Sequence, residues 1–371
     1  MNVPASPSAR PPPTQLYPQS SQFRNWRYSK QGLDKVRNEL NEQAVRRMKS
    51  LWEEERVQQA STAVSTPSEP STSSNPPSAA PTPPPSTAEI EYLTVEDEQL
   101  LVTYYLTQVQ AMCGAFQFPE MVQATAMSYL KRFYLGNTVM DYHPKNIMLT
   151  CVFLATKTEN FPISVDSFSA RVKTPPVDIL SLEFLVSQSL KFEYKVHHAH
   201  LALNGILLDL QTCPGVDAST VASAASKAQS YLRSSRHTSA ELVYSPSQIA
   251  LACLDLVSPP LVESYLASKE ARHGAQADSN RSAPPPLERT QMTRLLQEVG
   301  ALVTHIQKNP VAKDRVKDVD KRLKWARNPE KDPSSALYKK RKREEEEEKE
   351  RKEREKAAKR PKAEDDGSVF D

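Results

Sequence analysis

Residues 129–161 read YLKRFYLGNTVMDYHPKNIMLTCVFLATKTENF, and this stretch decides the fold. It pauses at Gly136-Asn137, a pair suited to closing a helix. It restarts at Asp141-Tyr142-His143-Pro144, where the proline fits the first turn of the next helix. The run that follows, IMLTCVFLATK, is apolar nearly all round, which predicts a helix buried on every side. Such a helix is the hub of a helical domain.

Working outward, Val122, Ala126, Tyr129 and Phe133 repeat at a period near four and predict a helix opened by Pro119. Ahead of it, a helix capped by Thr94 runs to about Cys113. Behind the hub, a short helix spans about Val165–Val172. A fifth begins at Pro175-Pro176 and runs through ILSLEFLVSQSL to Leu190. The same order then recurs in HAHLALNGILLDL, VASAASKAQSYLRSS, SPSQIALACLDL and LVESYLASKE. After a Pro-rich break at 282–287 it ends in MTRLLQEVGALVTHI, and the third member is again the most apolar. The predicted fold class is therefore all-α. Two tandem five-helix repeats, over 91–195 and 196–308, carry flanking N- and C-terminal helices.

The flanks are of another texture. Residues 1–22 are Pro/Ser-rich and expected to be disordered. Residues 23–60 hold FRNWRYSK and an amphipathic helix over about 31–59, with Leu33, Val36, Leu40, Ala44, Met48 and Leu51 three or four apart. Residues 61–90 form a Pro/Ser/Thr-rich linker, whose Thr66-Pro67 and Thr82-Pro83 resemble proline-directed phosphorylation sites. Residues 309–371 form a charged tail with two basic clusters. Lys339, Lys340, Arg341, Lys342 and Arg343 make the first, and Lys359, Arg360 and Lys362 the second. They fit a nuclear import signal, and equally a solvated helix laced with i,i+4 charge pairs.

Composition narrows the function. Only 8 of 371 residues are Gly, about 2% against an average near 7%, too few for phosphate-cradling loops or many hairpins. No GxGxxG or GxxxxGK[ST] occurs, so the chain is not itself a kinase, and no nucleophile elbow supports Ser/His/Asp catalysis. Cys113, Cys151, Cys213 and Cys253 form no CxxC pair and read as small buried hydrophobes in a reducing compartment. His197, His198 and His200 lack a further ligand at metal spacing, so neither metal nor cofactor is expected. No apolar run approaches the 18 or so residues of a membrane span, and the N-terminus has no apolar leader. Between residues 90 and 310, 17 Lys/Arg stand against 20 Asp/Glu, a net of −3, whereas residues 339–362 carry 13 against 8, a net of +5. A mildly acidic core is a poor match for duplex nucleic acid.

On the stretches YLKRFYLGNTVMDYHPKNIMLTCVFLATKTENF, LEFLVSQSLKFEYKVHH, VYSPSQIALACL and FRNWRYS, the chain resembles the cyclin family, most closely its H-type members. The resemblance covers about residues 23–60 and 91–306. It implies a non-catalytic regulatory subunit that binds and activates a cyclin-dependent kinase. By position, the kinase-binding residues are Lys157 and Glu183, with Leu154, Phe184 and Phe192 as apolar neighbours. Thr158-Glu159-Asn160 stand where many cyclins have acidic residues, and no MRAIL-type docking motif is present in the first helix. H-type resemblance further implies a CDK-activating kinase with a RING-finger assembly factor, membership of TFIIH, RNA polymerase II transcription and cell-cycle control, and a nuclear location. Two other readings stay open: a cyclin C-like subunit of the Mediator kinase module, and a TFIIB-like cyclin-fold factor that grips DNA. The second would need a zinc ribbon and a basic core.

Overall fold

The structure, a computed structural model, describes residues 17–64, 90–276 and 288–359. Thr66-Pro67, Thr82-Pro83, the 282–287 break, Arg360 and Lys362 lie outside these described residues. Among the described residues all regular structure is helical. The α-helices are α1 (Ser21–Asn25), α2 (Lys30–Val64), α3 (Val95–Phe116), α4 (Glu120–Phe133), α5 (Pro144–Thr158), α6 (Val165–Val172), α7 (Pro176–Leu180) and α8 (Glu183–Ser189). There follow α9 (Ala199–Leu210), α10 (Ala218–Ser235), α11 (Ala240–Val243), α12 (Pro246–Asp255), α13 (Pro259–Gln276), α14 (Arg289–Lys308), α15 (Lys313–Ala326) and α16 (Ala336–Lys359). The chain splits into two compact units: Met1–Leu40 with Val95–Lys317, and Asn41–Thr94 with Asp318–Asp371.

The first unit contains both predicted bundles. In one, α3, α4 and α6–α8 surround α5, whose side chains from Ile147 to Thr156 are all buried. Pro144 occupies the first turn, and His143 Nδ1 accepts from Lys145 N at 3.2 Å. In the other, α9, α10, α13 and α14 surround α12, buried from Ile249 to Leu254. Ser245 and Gln248 cap that helix reciprocally, each side chain taking the other's backbone N–H. All four cysteines are free and buried, as small core residues should be.

Three expectations for this unit need correction. Residues 17–22 are ordered, because Ser20 Oγ caps α1 by accepting from Phe23 N at 3.2 Å. Gln22 also clamps a distant peptide: its Nε2 donates to His197 O, and its Oε1 accepts from His197 N at 2.7 Å. Gly136 does not adopt the left-handed backbone of a helix terminator. Instead α4 ends at Phe133, whose carbonyl accepts from the Asn137 amide at 3.0 Å. The expected fifth helix is broken in two at Ser181-Leu182. Thr150 Oγ1 of α5 donates to Ile179 O at 3.2 Å, the carbonyl that residue 183 would use in a continuous helix. The contact ties the end of α7 to α5, and Glu183 is the first residue of a new helix.

The second unit overturns the reading of 309–371 as a charged tail alone. Val319, Leu323 and Ala326 recur three or four apart on α15 and are all buried. The indole of Trp52 donates to Arg327 O at 3.1 Å. The long helix α2 also continues to Val64, beyond the expected end. Its Glu55, almost fully buried, accepts from Ala336 N at 2.9 Å and Leu337 N at 2.7 Å. A carboxylate there satisfies two of the N–H groups that every helix start leaves unpaired, and meets the positive end of the dipole. Glu55→Ala should therefore cost about 2–3 kcal/mol by urea unfolding, and Glu55→Gln less, since an amide oxygen still accepts. A loss under about 1 kcal/mol for the alanine variant would mean that water replaces the cap.

Candidate functional site

Lys157 lies in the last turn of α5 and Glu183 in the first residue of α8. Each end suits its charge, since a helix C-terminus favours a cation and an N-terminus an anion. The two side chains meet in an ion pair. Lys157 Nζ also sits 4.7 Å above the Phe153 ring, a cation–π contact that narrows its range. The pair remains 39% and 24% exposed, so a second molecule can reach it.

Phe184 and Phe192 follow Glu183 in sequence and are 65% and 54% exposed, with ring centres 6.2 Å apart. Val177 and Leu180 of α7 and Phe161 are also exposed. Exposed apolar side chains of this size leave surface that a second molecule could cover. Leu154 departs from the expectation: it is only 4% exposed and serves the core beneath this face.

The backbone is strained to present Phe192. Lys191 and Phe192 both take positive φ, 55° and 57°, a region that costs an ordinary side chain about 1–2 kcal/mol. The turn holds because Phe192 N donates to Ser187 O and Glu193 N to Leu190 O, both at 2.9 Å. Glu193 is fixed in turn by the N-terminal segment, accepting from Asn25 Nδ2 at 2.5 Å and Trp26 Nε1 at 2.6 Å. Arg132 and Lys191 both lie over the buried Trp26 ring, 5.0 Å and 5.4 Å from its centre. FRNWRYS thus acts on the exposed face at second hand, by locking the turn that carries Phe192.

Sequence reasoning missed a polar seam between the two bundles. Lys131 and Arg132 of α4 are both buried. Lys131 donates to Arg236 O at 2.8 Å and Thr238 O at 3.2 Å, and lies 3.1 Å from Glu241 Oε1. Arg236 donates to Glu120 Oε1 at 2.6 Å. Thr125 Oγ1 reaches Glu159 at 2.5 Å and His198 Nε2 at 2.8 Å, and the His198 and His200 rings stack 5.3 Å apart. The available signal was two adjacent cations inside the apolar run MSYLKRFYL. The three clustered histidines belong to this seam.

Burial keeps the seam histidines neutral. It holds His198 well below the usual histidine range and lowers His200, with Arg236 adding to both. Burial brings His237 down to about 4, with Lys131 and Arg236 contributing. Below pH 6.5 the unfolded chain then binds more protons than the folded one, so stability is full above that value and falls with acidification toward pH 4. His237 alone accounts for about 3 kcal/mol over that window. Melting temperature followed from neutral pH downward should drop before the carboxylates titrate; a flat profile down to about pH 5 would contradict this.

The first basic cluster of the tail, Lys339–Arg343, lies on α16, where Arg341 reaches Glu54 at 3.5 Å and Glu330 at 3.3 Å. Further along, α16 carries i,i+4 pairs such as Lys352–Glu348 at 2.8 Å.

Residues 91–195 match the cyclin N-terminal domain family, and residues 198–304 the cyclin C-terminal domain family. Similar proteins include the cyclin mcs2 of Schizosaccharomyces pombe, 30% identical over 87% of this chain and 89% of that protein. The cyclin CCL1 of Saccharomyces cerevisiae is 33% identical over 70% of this chain and 63% of that one. Among solved structures, a chain of the CAK complex of Chaetomium thermophilum bound to ATP-γ-S aligns with a TM-score of 0.66 and 26% identity. That alignment covers 95% of this chain and 98% of the other. A chain of the yeast TFIIK complex (Kin28/Ccl1/Tfb3) aligns with a TM-score of 0.55 and 27% identity, over 77% and 100%.

Proposed function

The chain belongs to the cyclin family, and from that premise we propose that it is the regulatory subunit of a cyclin-dependent kinase of the CDK-activating, TFIIH-associated type. The observation that carries this reading is the breadth of the likeness to the CAK chain. It takes in 95% of this sequence, and so extends well beyond the two repeats that cyclins share. Relatives named cyclin-H, at 30% identity in Dictyostelium discoideum and 36% in Xenopus laevis, support the same branch.

The chain acts by binding rather than by chemistry. Lys157 and Glu183, with Phe184 and Phe192 beside them and Leu154 packed beneath, grip the mobile regulatory helix of the kinase. Binding one pose of that helix better than others shifts the kinase toward its active population. The shift is bounded by the difference in affinity for the two poses; about 5.5 kcal/mol would take a kinase from 1% to 99% active. The exposed aromatics supply apolar area, and the ion pair supplies orientation.

By extension, the partners include a RING-finger assembly factor and the TFIIH core. The complex works in the nucleus on RNA polymerase II, with the basic clusters at Lys339–Arg343 and at Lys359, Arg360 and Lys362 as the import signal. Affinity purification of the chain from native extract tests the reading: a kinase should come with TFIIH subunits. Recovery of Mediator subunits instead would move the chain to the other kinase module.

A further inference from the structure

The seam between the repeats encloses a cavity with about 20 Å³ of room, bounded by Ala124 of α4 on one side and by His198, Ser235, Arg236 and Glu241 on the other. A water molecule needs roughly 10–15 Å³ and two to four polar partners. Polar groups with unused capacity are present. Arg236 is 7% exposed; its Nη2 is taken by Glu120, but its Nη1 is buried without a partner in the protein. Glu241 Oε2 accepts from Ser128 Oγ at 3.0 Å. Its Oε1 is buried and meets only the Lys131 ammonium, 3.1 Å away, so one of its lone pairs is left over.

His198 supplies a third group, by a proton count. The Thr125 hydroxyl has one proton and donates it to Glu159 Oε1 at 2.5 Å. Toward His198 Nε2, 2.8 Å away, Thr125 can therefore only accept. Nε2 carries the ring proton. Burial, reinforced by His200 and Arg236, disfavours a second proton, so Nδ1 is a bare acceptor.

We propose that this cavity is a binding site for one structural water molecule, which accepts from Arg236 Nη1 and donates to Glu241 Oε1 and His198 Nδ1. One acceptor and two donor roles use both water protons and give about three hydrogen bonds, the usual number for a buried water. A halide of similar size would also accept from Arg236. It could offer nothing to the Glu241 carboxylate and would be repelled by it. The water sits on the second repeat's side of the seam, where it links two pairs that each cross to the first repeat, Arg236 with Glu120 and Glu241 with Lys131.

A high-resolution crystal structure of the full chain, alone or with its kinase, tests the site. One fully occupied solvent peak within hydrogen-bond distance of all three atoms is the expected result. No peak, or one that misses Arg236 Nη1, would overturn the proposal. So would an anomalous peak in crystals soaked in bromide, which would mark an anion. The measurement does not depend on kinase activity, so it stands or falls apart from the proposed function.

Discussion

Lys157→Glu is expected to weaken capture of the kinase about 30-fold or more, equivalent to about 2 kcal/mol, with helicity unchanged. Because Lys157 and Glu183 already pair within the free chain, a single reversal has two readings. It breaks the internal pair, and it also presents the wrong charge to a partner. The exchange Lys157→Glu with Glu183→Lys separates them. It restores an internal pair of opposite order, but turns both charges against the kinase. Binding that recovers to the native level would reduce the pair to a local brace between two helix ends. Binding that stays weak places both side chains in the contact. Phe184→Ala and Phe192→Ala give an independent check, because side chains this exposed contribute little to folding. Each should lose about tenfold in affinity while stability moves by less than about 0.5 kcal/mol.

The hub helices were legible because a run such as IMLTCVFLATK can satisfy its apolar surface only in a core, whatever surrounds it. Lys157 and Glu183 were legible by resemblance, and their pairing then follows from opposite helix ends meeting. The break before Glu183 was not legible: no local pattern in residues 176–190 announces it. The order of α15 was hidden by charge. Its buried face holds Val316, Val319, Leu323 and Ala326, and Lys, Arg and Asp fill the positions between. The left-handed turn at Lys191-Phe192 had no glycine to signal it; distant Asn25 and Trp26 anchor the next residue. The turn at Lys191-Phe192 and α15 were missed for different reasons. At the turn, local propensity was outvoted by a partner far away in sequence; on α15 the local pattern was present but masked by charge.

The seam yields the largest expected loss of stability. Lys131 is buried, and three acceptors surround its ammonium: two carbonyls at the end of α10 and the Glu241 carboxylate. Burial lowers its affinity for the proton, and Glu241 opposes that effect, so the charge persists only because the pocket answers it. Lys131→Met keeps the aliphatic stem and removes the ammonium. The buried carbonyls of Arg236 and Thr238 then lose their donor, and Glu241 retains only Ser128. Leaving one member of a buried pair uncompensated typically costs about 3–5 kcal/mol, and urea unfolding should show a loss of that order. Removing the orphaned charge as well, in Lys131→Met with Glu241→Leu, should recover a large part of it, because two apolar side chains need no partners. A single variant that loses less than about 1 kcal/mol would mean that water enters the seam and solvates Glu241. Kinase capture by Lys131→Met, measured at a temperature where it is still folded, should remain within about twofold of native, because this lysine faces the second repeat and not the exposed aromatics.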